Sequence, residues 1–308
     1  GHYDIIIDCE NGIPFFTPFY STKPVILLIH HVHQEVFRQH LPPFLSSLAI
    51  FLEAKLMPMI YNQRRIVTVS DSSKNDIVNI LKIPAKNIDI VTPGIDLNSF
   101  AGSEKTKHPS LIYLGRIREY KNIDVAIQAF AWVVKSVPSA KFVIAGWGDN
   151  LHDLQKLAIS LGLKDSVIFM GKVSEDDKVK LLGQSWAMLQ PSSFEGWGIT
   201  VIEANACGTP VIASNVIGLK DSVVADHTGI LFEEKNVEEM AQAMTDIIKN
   251  REKRVLLSKN ALQWSQRFDW DSQSRKFFTI ISSCLNDKDT PPLFTSPDVV
   301  RSHIIYEN

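Results

Sequence analysis

The feature that most constrains this chain is an alternation, through its second half, of short apolar runs with longer amphipathic ones. From residue 110 the order is "SLIYLGRI" (110–117), "NIDVAIQAFAWVVKSVP" (122–138), "KFVIAGWGD" (141–149), "NLHDLQKLAISLGL", "SVIFMGKV", "SEDDKVKLLGQS", "WAMLQPS", "GITVIEANACG", "PVIASNV", "TGILFEE" and "NVEEMAQAMTDIIKN". The short runs are almost wholly apolar, as strands covered on both faces are, and the longer ones repeat at helical spacing. Repeated strand–helix order predicts a parallel sheet with helices on both sides, and such sheets bind ligands at the carboxyl ends of their strands. The helix over 122–138 is expected to bury Val125, Ala129, Trp132 and Val133. Gly208 is placed to end the helix in "GITVIEANACG".

The first half carries three runs of the same kind, "DIIID" (4–8), "PVILLIH" (24–30) and "RIVTVS" (65–70). Residues 34–63 hold one or two helices punctuated by Pro42, Pro43 and Pro58, and another helix follows Asp71. Pro93-Gly94 is a turn, and no periodic pattern resumes until residue 110. The reading is therefore α/β with two Rossmann-like domains. Residues 1–92 form a partial first domain, 93–108 a linker, 109–265 the second domain, 266–285 a further helix, and 286–308 a Pro/Asp/Thr-rich tail. Residue 1 is Gly and the first strand pattern arrives by residue 5, so an upstream part of the first domain is expected to be missing. A first sheet of about three strands would expose an edge, which a separate N-terminal chain or a homodimer would cover.

Charge and cysteine usage narrow the classes. The net charge of −2 argues against a nucleic-acid partner. Cys9, Cys207 and Cys284 are far apart and odd in number, which suits a reducing, cytoplasmic compartment. The sequence shows no uninterrupted apolar run of about 18–20 residues, the length a bilayer span needs. "FLSSLAIFLEAKLMPMIY" is instead read as a core or interface helix, with peripheral contact to the cytoplasmic face of a membrane as the alternative.

Three expected strand ends in the second domain carry unusual residues. Gly115-Arg116, with Lys121 nearby, supplies a guanidinium fork and an ammonium, which together suit a diphosphate. Such a pair also occurs as solvated charge before a helix, and the residues alone leave both readings open. Gly146-Trp147-Gly148 permits either a close-bound ligand or a tight turn. In "SSFEGWGITVIEANACGTPVIAS" (192–214), Gly196 and Gly198 free backbone amides ahead of a helix, Glu195 stands beside them, and Glu203 lies inside the apolar helix. A helix N-terminus lined with free amides suits phosphate or sugar oxygens, and a buried acid needs partners. "HHVH" (30–33) lacks an acid or cysteine cluster in sequence, so no metal is assigned and His30 is the histidine placed nearest a cleft.

At these residues the chain resembles the retaining glycosyltransferases of family GT4, the glycosyl transferases group 1. "GRIREYKNIDVAIQAF", "FVIAGWGD", "VIFMGKVSEDDKVKLL" and the two glutamates of "SSFEGWGITVIEANACGTPVIAS" carry the likeness, which covers about residues 1–280. The resemblance implies the GT-B architecture, with a nucleotide-sugar in the second domain and an unidentified acceptor on the side of the first. It implies that Arg116 and Lys121 hold the diphosphate, Glu195 meets the donor sugar, and Glu203 binds the ribose. The amides of Gly196, Trp197, Gly198 and Ile199 would surround sugar and phosphate. Gly115, Gly146, Gly148 and Phe194 would complete the donor site, with Val173 near the base and His30 near the transferred sugar. The resemblance implies neither cofactor nor metal, and a final helix in 268–285 that crosses back to the first domain. It further implies that family members carry more sequence ahead of "DIIID". The lead reading is a retaining hexosyltransferase. A catalytically reduced or partner-dependent nucleotide-sugar-binding protein is the alternative, and a GT-B epimerase or phosphorylase a more distant third.

Overall fold

The computed structural model describes residues 3–286, so the expected tail lies, beyond Asn286, outside the described residues. The chain divides into two compact units. Among the described residues, one takes those before Ser70, Ser73–Val91 and those from Lys276 to Asn286, and the other takes Ser70–Ser72 and Thr92–Arg275.

In the first unit β1 (Ile6–Glu10), β2 (Val25–Ile29), β3 (Arg65–Thr68) and β4 (Ile88–Ile90) form a parallel sheet in that order. The expectation of about three strands is corrected to four. The last was hidden because it is only "IDI", with a charge at its centre. That charge is satisfied within the sheet, where Arg65 Nη2 donates to Asp89 Oδ1 at 3.0 Å. Alternate side chains of β2 face opposite ways. Val25, Leu27 and Ile29 join Met57, Ile60, Tyr61 and Ile77 in one core, while Ile26 meets Val67 and Ile280 on the other face.

Four helices belong to this stretch of chain: α1 (Gln34–His40), α2 (Pro43–Phe51), α3 (Met57–Tyr61) and α4 (Asp71–Asn79). A π turn over Leu52–Leu56 joins α2 to α3, so that Pro43–Tyr61 runs as one helix. By length and composition alone this helix is long and apolar enough to cross a bilayer. Glu53 and Lys55 break the apolar run in sequence, but Glu53 turns inward and is only 1% exposed. Met57, Ile60 and Tyr61 are buried in the core, whereas Phe44, Leu45, Leu48, Phe51 and Met59 are exposed.

The second unit is a six-stranded parallel sheet. Its strands are β5 (Ser110–Leu114), β6 (Lys141–Ala145), β7 (Val167–Gly171), β8 (Ala187–Gln190), β9 (Val211–Ser214) and β10 (Gly229–Phe232), in the order β10-β9-β8-β5-β6-β7. Its helices are α5 (Ile123–Ser136), α6 (Leu151–Ser160), α7 (Glu175–Gln184), α8 (Ile199–Ala206), α9 (Leu219–Ser222), α10 (Val237–Lys249) and α11 (Arg251–Ser265). The helix α12 (Trp270–Asn286) starts here, and from Lys276 it belongs to the first unit, where Ile280 is buried.

The sheet separates two cores. Leu111 and Tyr113 of β5 point to the side of α5, α6 and α10, and Ile112 and Leu114 to the side of α7 and α8. The buried stripe of α5 centres on Ala126, Phe130 and Val133, so Trp132, expected inside, falls off its edge and is exposed. The helix α11 was not anticipated, because only Leu257, Ala261 and Ser265 of its residues are buried and charges surround that narrow stripe. In this order β5 sits between β6 and β8, and the helices after β5 and β8 lie on opposite faces. The carboxyl ends of these two strands therefore bound the crevice where an open parallel sheet offers a binding site.

Candidate active site in the second unit

The loops after β5 and β8 are locked together by their own residues. Tyr120 stacks on Phe194 with ring centroids 4.5 Å apart. Asn122, in a left-handed conformation at φ 47°, donates Nδ2 to the Pro191 carbonyl and to Ser193 Oγ, each at 2.9 Å. This arrangement sets Lys121 against Glu195, and the ammonium pairs with Oε1 of the carboxylate. Gln190 Nε2 and Ser192 Oγ donate to the same oxygen at 2.8 and 3.0 Å. Both side chains of the ion pair are largely buried. A carboxylate so enclosed is costly without a cation, and each partner depends on the other.

The remaining expected residues fall around this pair or beside it. Arg116 is exposed at the end of β5, and its carbonyl accepts the Tyr113 hydroxyl at 2.7 Å. Gly115 and the two glycines after β6 serve a close backbone approach. A Cβ on Gly146 would stand 1.9 Å from the Gly115 carbonyl oxygen, and one on Gly148 would stand 1.8 Å from that of Ile117. Gly196 is half-buried and Gly198 turns the chain at φ 82° into α8, where Ile199 is exposed as the first helical residue. The Trp197 side chain is buried and meets Phe268 edge-on at 5.1 Å, which leaves the backbone amide of Trp197 as its group for a ligand. Val173, after β7, is half-buried against the α7–α8 core. His30 lies in the other unit, exposed directly after β2, where its carbonyl accepts from Ser73 Oγ at 2.9 Å.

Glu203 is 9% exposed and has a partner that sequence reasoning missed. Lys178 of α7 reaches its Oε1 at 2.8 Å and also pairs with Glu175 at 2.6 Å. The signal lay in "SEDDKVKLL", whose one cation on the inner side of an acidic helix start was not weighed. Gln190, Ser192 and Gly218 were missed as well. Gly218, at φ 79°, would place a Cβ 2.1 Å from the Glu195 carbonyl oxygen, so it holds the Glu195 loop from the β9 side.

Burial raises the Glu203 pKa above the ordinary 4.5, and the Lys178 cation opposes the rise. A carboxylate with a raised pKa takes its proton while an unfolded glutamate is still ionised. Its contribution to stability is therefore present below the unfolded pKa and lost as pH rises through the folded one, whereas any ligand held by the ionised form is lost as pH falls through it. Lys178→Met is expected to raise the Glu203 pKa further and move both transitions to higher pH. Carbon-13 titration of the glutamate carboxyls, in parallel with nucleotide binding against pH, measures both, and an unmoved titration would remove Lys178 as the partner that matters.

The "HHVH" stretch also reads differently in three dimensions. Sequence showed no acid cluster for these histidines, but Glu10 and Glu53 both approach His33, with Nδ1 3.3 Å from Glu10 Oε1. Its neighbour His31 is pushed down to about 3 by burial and by the adjacent histidines, so it is neutral at physiological pH.

Residues 95–264, over half of the chain, match the family model described as glycosyl transferases group 1. A D-inositol 3-phosphate glycosyltransferase of Saccharomonospora viridis is 30% identical over 225 residues, which cover 67% of this chain and 52% of that protein. A GDP-mannose-dependent alpha-(1-6)-phosphatidylinositol monomannoside mannosyltransferase of Mycobacterium tuberculosis is 28% identical, covering 63% of this chain and 55% of that one. The chain thus spans about half the length of the curated relatives it matches. Among solved structures, Anabaena HepE in complex with UDP and glucose superposes with a TM-score of 0.76 at 19% identity, covering 91% of this chain and 78% of that one. With the two parallel sheets, this likeness assigns the GT-B fold.

Proposed function

Because the chain belongs to the glycosyl transferases group 1, we propose that it moves a hexose from a nucleoside diphosphate sugar to an acceptor, with retention of anomeric configuration. The observation that carries this reading is the buried Lys121–Glu195 pair at the switch point of the second sheet, held by Gln190 and Ser192 beside the glycine-rich entry to α8. Breaking the bond from the sugar C1 to the diphosphate oxygen leaves negative charge on that oxygen. Fixed cations stabilise such charge without reorganising, and here Lys121 and Arg116 supply them. The amides of Gly196, Trp197, Gly198 and Ile199 add dipoles at the helix start. On this reading Lys121 shares its charge between Glu195 and the phosphate, and Glu195 accepts a sugar hydroxyl. Glu203 takes the ribose and Val173 lies near the base. The acceptor oxygen bonds to C1 on the face the phosphate leaves, and the departing phosphate oxygen takes the acceptor proton. No metal is required at this rim, because the side chains carry the compensating charge.

The relatives support a nucleoside diphosphate donor and differ in its base, since one solved relative was captured with UDP and glucose and another is named for GDP-mannose. The odd count of three cysteines, far apart in sequence, supports a cytoplasmic location, and the exposed apolar side chains of Pro43–Tyr61 support contact with the cytoplasmic face of a membrane. Calorimetry with UDP- and GDP-sugars, a donor-hydrolysis assay and NMR of the product anomer test the proposal together. Binding of one donor class, slow hydrolysis and a product of unchanged anomeric configuration are expected. Binding without hydrolysis or transfer would make the chain a nucleotide-sugar-binding protein instead, and an inverted product would end the claim of retention.

A further inference from the structure

Away from the donor rim, the first unit buries three ionisable side chains in one place. Glu10 ends β1, His33 follows β2, and Glu53 sits in the π turn between α2 and α3. They are 2%, 7% and 1% exposed. One atom from each lies within 4.8 Å of the other two, and His33 Nδ1 is 3.3 Å from Glu10 Oε1 and 3.8 Å from Glu53 Oε1. Glu53 Oε1 also accepts the His33 backbone N–H at 2.6 Å, which fixes these two residues against each other. Among the described residues, neither oxygen of Glu10 nor Glu53 Oε2 receives a well-aligned hydrogen bond.

A buried carboxylate without partners is costly, and two beside each other repel. With both acids ionised and the imidazole neutral, the state in which such groups ligate, the cluster carries two negative charges, which one divalent cation would cancel. Ligand atoms about 2.0–2.2 Å from a common ion stand roughly 3–4 Å apart, the range of the separations at His33. The position is also apt. Glu10 and His33 lie at the carboxyl ends of adjacent parallel strands, where such sheets receive ligands. The π turn widens the helix at the point where Glu53 points inward, and such turns are frequent at functional sites.

We propose that Glu10, His33 and Glu53 form a site for a divalent transition-metal ion that ties β1, the loop after β2 and the α2–α3 helix together. One imidazole nitrogen with carboxylate oxygens favours Zn²⁺ or Mn²⁺ over all-oxygen Ca²⁺ or thiolate-bound Cu(I). This site departs from the sequence expectation of no metal, and it stands independently of the transferase reading.

Metal analysis of the full chain tests it, using protein purified without a polyhistidine tag from medium containing Zn²⁺ and Mn²⁺. About one equivalent of Zn²⁺ or Mn²⁺ per chain is expected. EDTA should lower the melting temperature, and adding back the metal alone should restore it. Glu53→Gln keeps the side-chain shape and removes one buried negative charge. Its metal-free form should be no less stable than metal-free wild type, yet it should carry no metal and show no response to Zn²⁺ or Mn²⁺. If that variant does not fold, Co²⁺ added to the wild type reads the site directly through visible d–d bands that EDTA abolishes. Wild type with less than about a tenth of an equivalent, and with a melting temperature unmoved by EDTA, Zn²⁺, Mn²⁺ or Co²⁺, would overturn the proposal and leave the cluster held by shared protons. Glu53→Gln that binds metal like wild type would also overturn it.

Discussion

Lys121→Ala is expected to lower kcat by about 10²–10³-fold, the scale on which removing one fixed group that stabilises transition-state charge acts. The same substitution also strands Glu195, whose carboxylate would keep only the neutral donors Gln190 and Ser192. A buried charge left without its counterion destabilises the fold, so Lys121→Ala should lose stability as well as rate. Glu195→Ala removes the acid and leaves Lys121 free to bind phosphate. It should lower kcat on a similar scale while holding nucleotide affinity closer to wild type. The double variant should cost less in stability than the two single changes added together, because the pair shares one interaction. Arg116→Ala, at an exposed position, should weaken donor binding with little effect on stability. Steady-state transfer rates, nucleotide calorimetry and urea melts on the four variants measure all of this. Wild-type turnover in Lys121→Ala and Glu195→Ala would remove the ion pair from the reaction.

Legibility in the sequence followed the range of the interactions involved. The β–α alternation of the second unit is carried by local apolar patterns, and the structure has strands and helices at those positions. The glutamates of "SSFEGWGITVIEANACGTPVIAS" stood out because an acid in an apolar run conflicts with its neighbours. Their partners did not stand out. Lys121 lies 74 residues from Glu195 and Lys178 lies 25 from Glu203, so no local pattern joins them. The strand β4 was lost for the same reason, since the Arg65 that satisfies Asp89 sits on another strand. In "HHVH" the exposed His30 drew the reading, while the acids that meet His33 come from the end of β1 and from a helix. Burial brings such charges together and sequence spacing does not record it.

Gly146→Ala is expected to damage the second unit's rim severely for a single added methyl. The added Cβ would stand 1.9 Å from the Gly115 carbonyl oxygen and 3.0 Å from its carbon, far inside van der Waals contact. Both opposing atoms are backbone, so no rotamer change relieves the clash. Gly146 donates its N–H to the Gly171 carbonyl at 2.8 Å, and Gly115 donates to the Ala145 carbonyl at 3.1 Å. The loop after β6 is thus pinned on both sides, and relief requires the end of β5 to move. Overpacking of this kind costs about 1–3 kcal/mol. The displaced segment leads through Arg116 to Lys121, so donor binding should fall together with stability. Gly162→Ala is a control for backbone flexibility alone, since at φ 73° it strains the chain but its Cβ would meet nothing within 4 Å. It should lower stability modestly and leave donor affinity unchanged. Equal losses of donor affinity in the two variants, measured by calorimetry at a temperature where both are folded, would show that the approach of β6 to Gly115 does not shape the site.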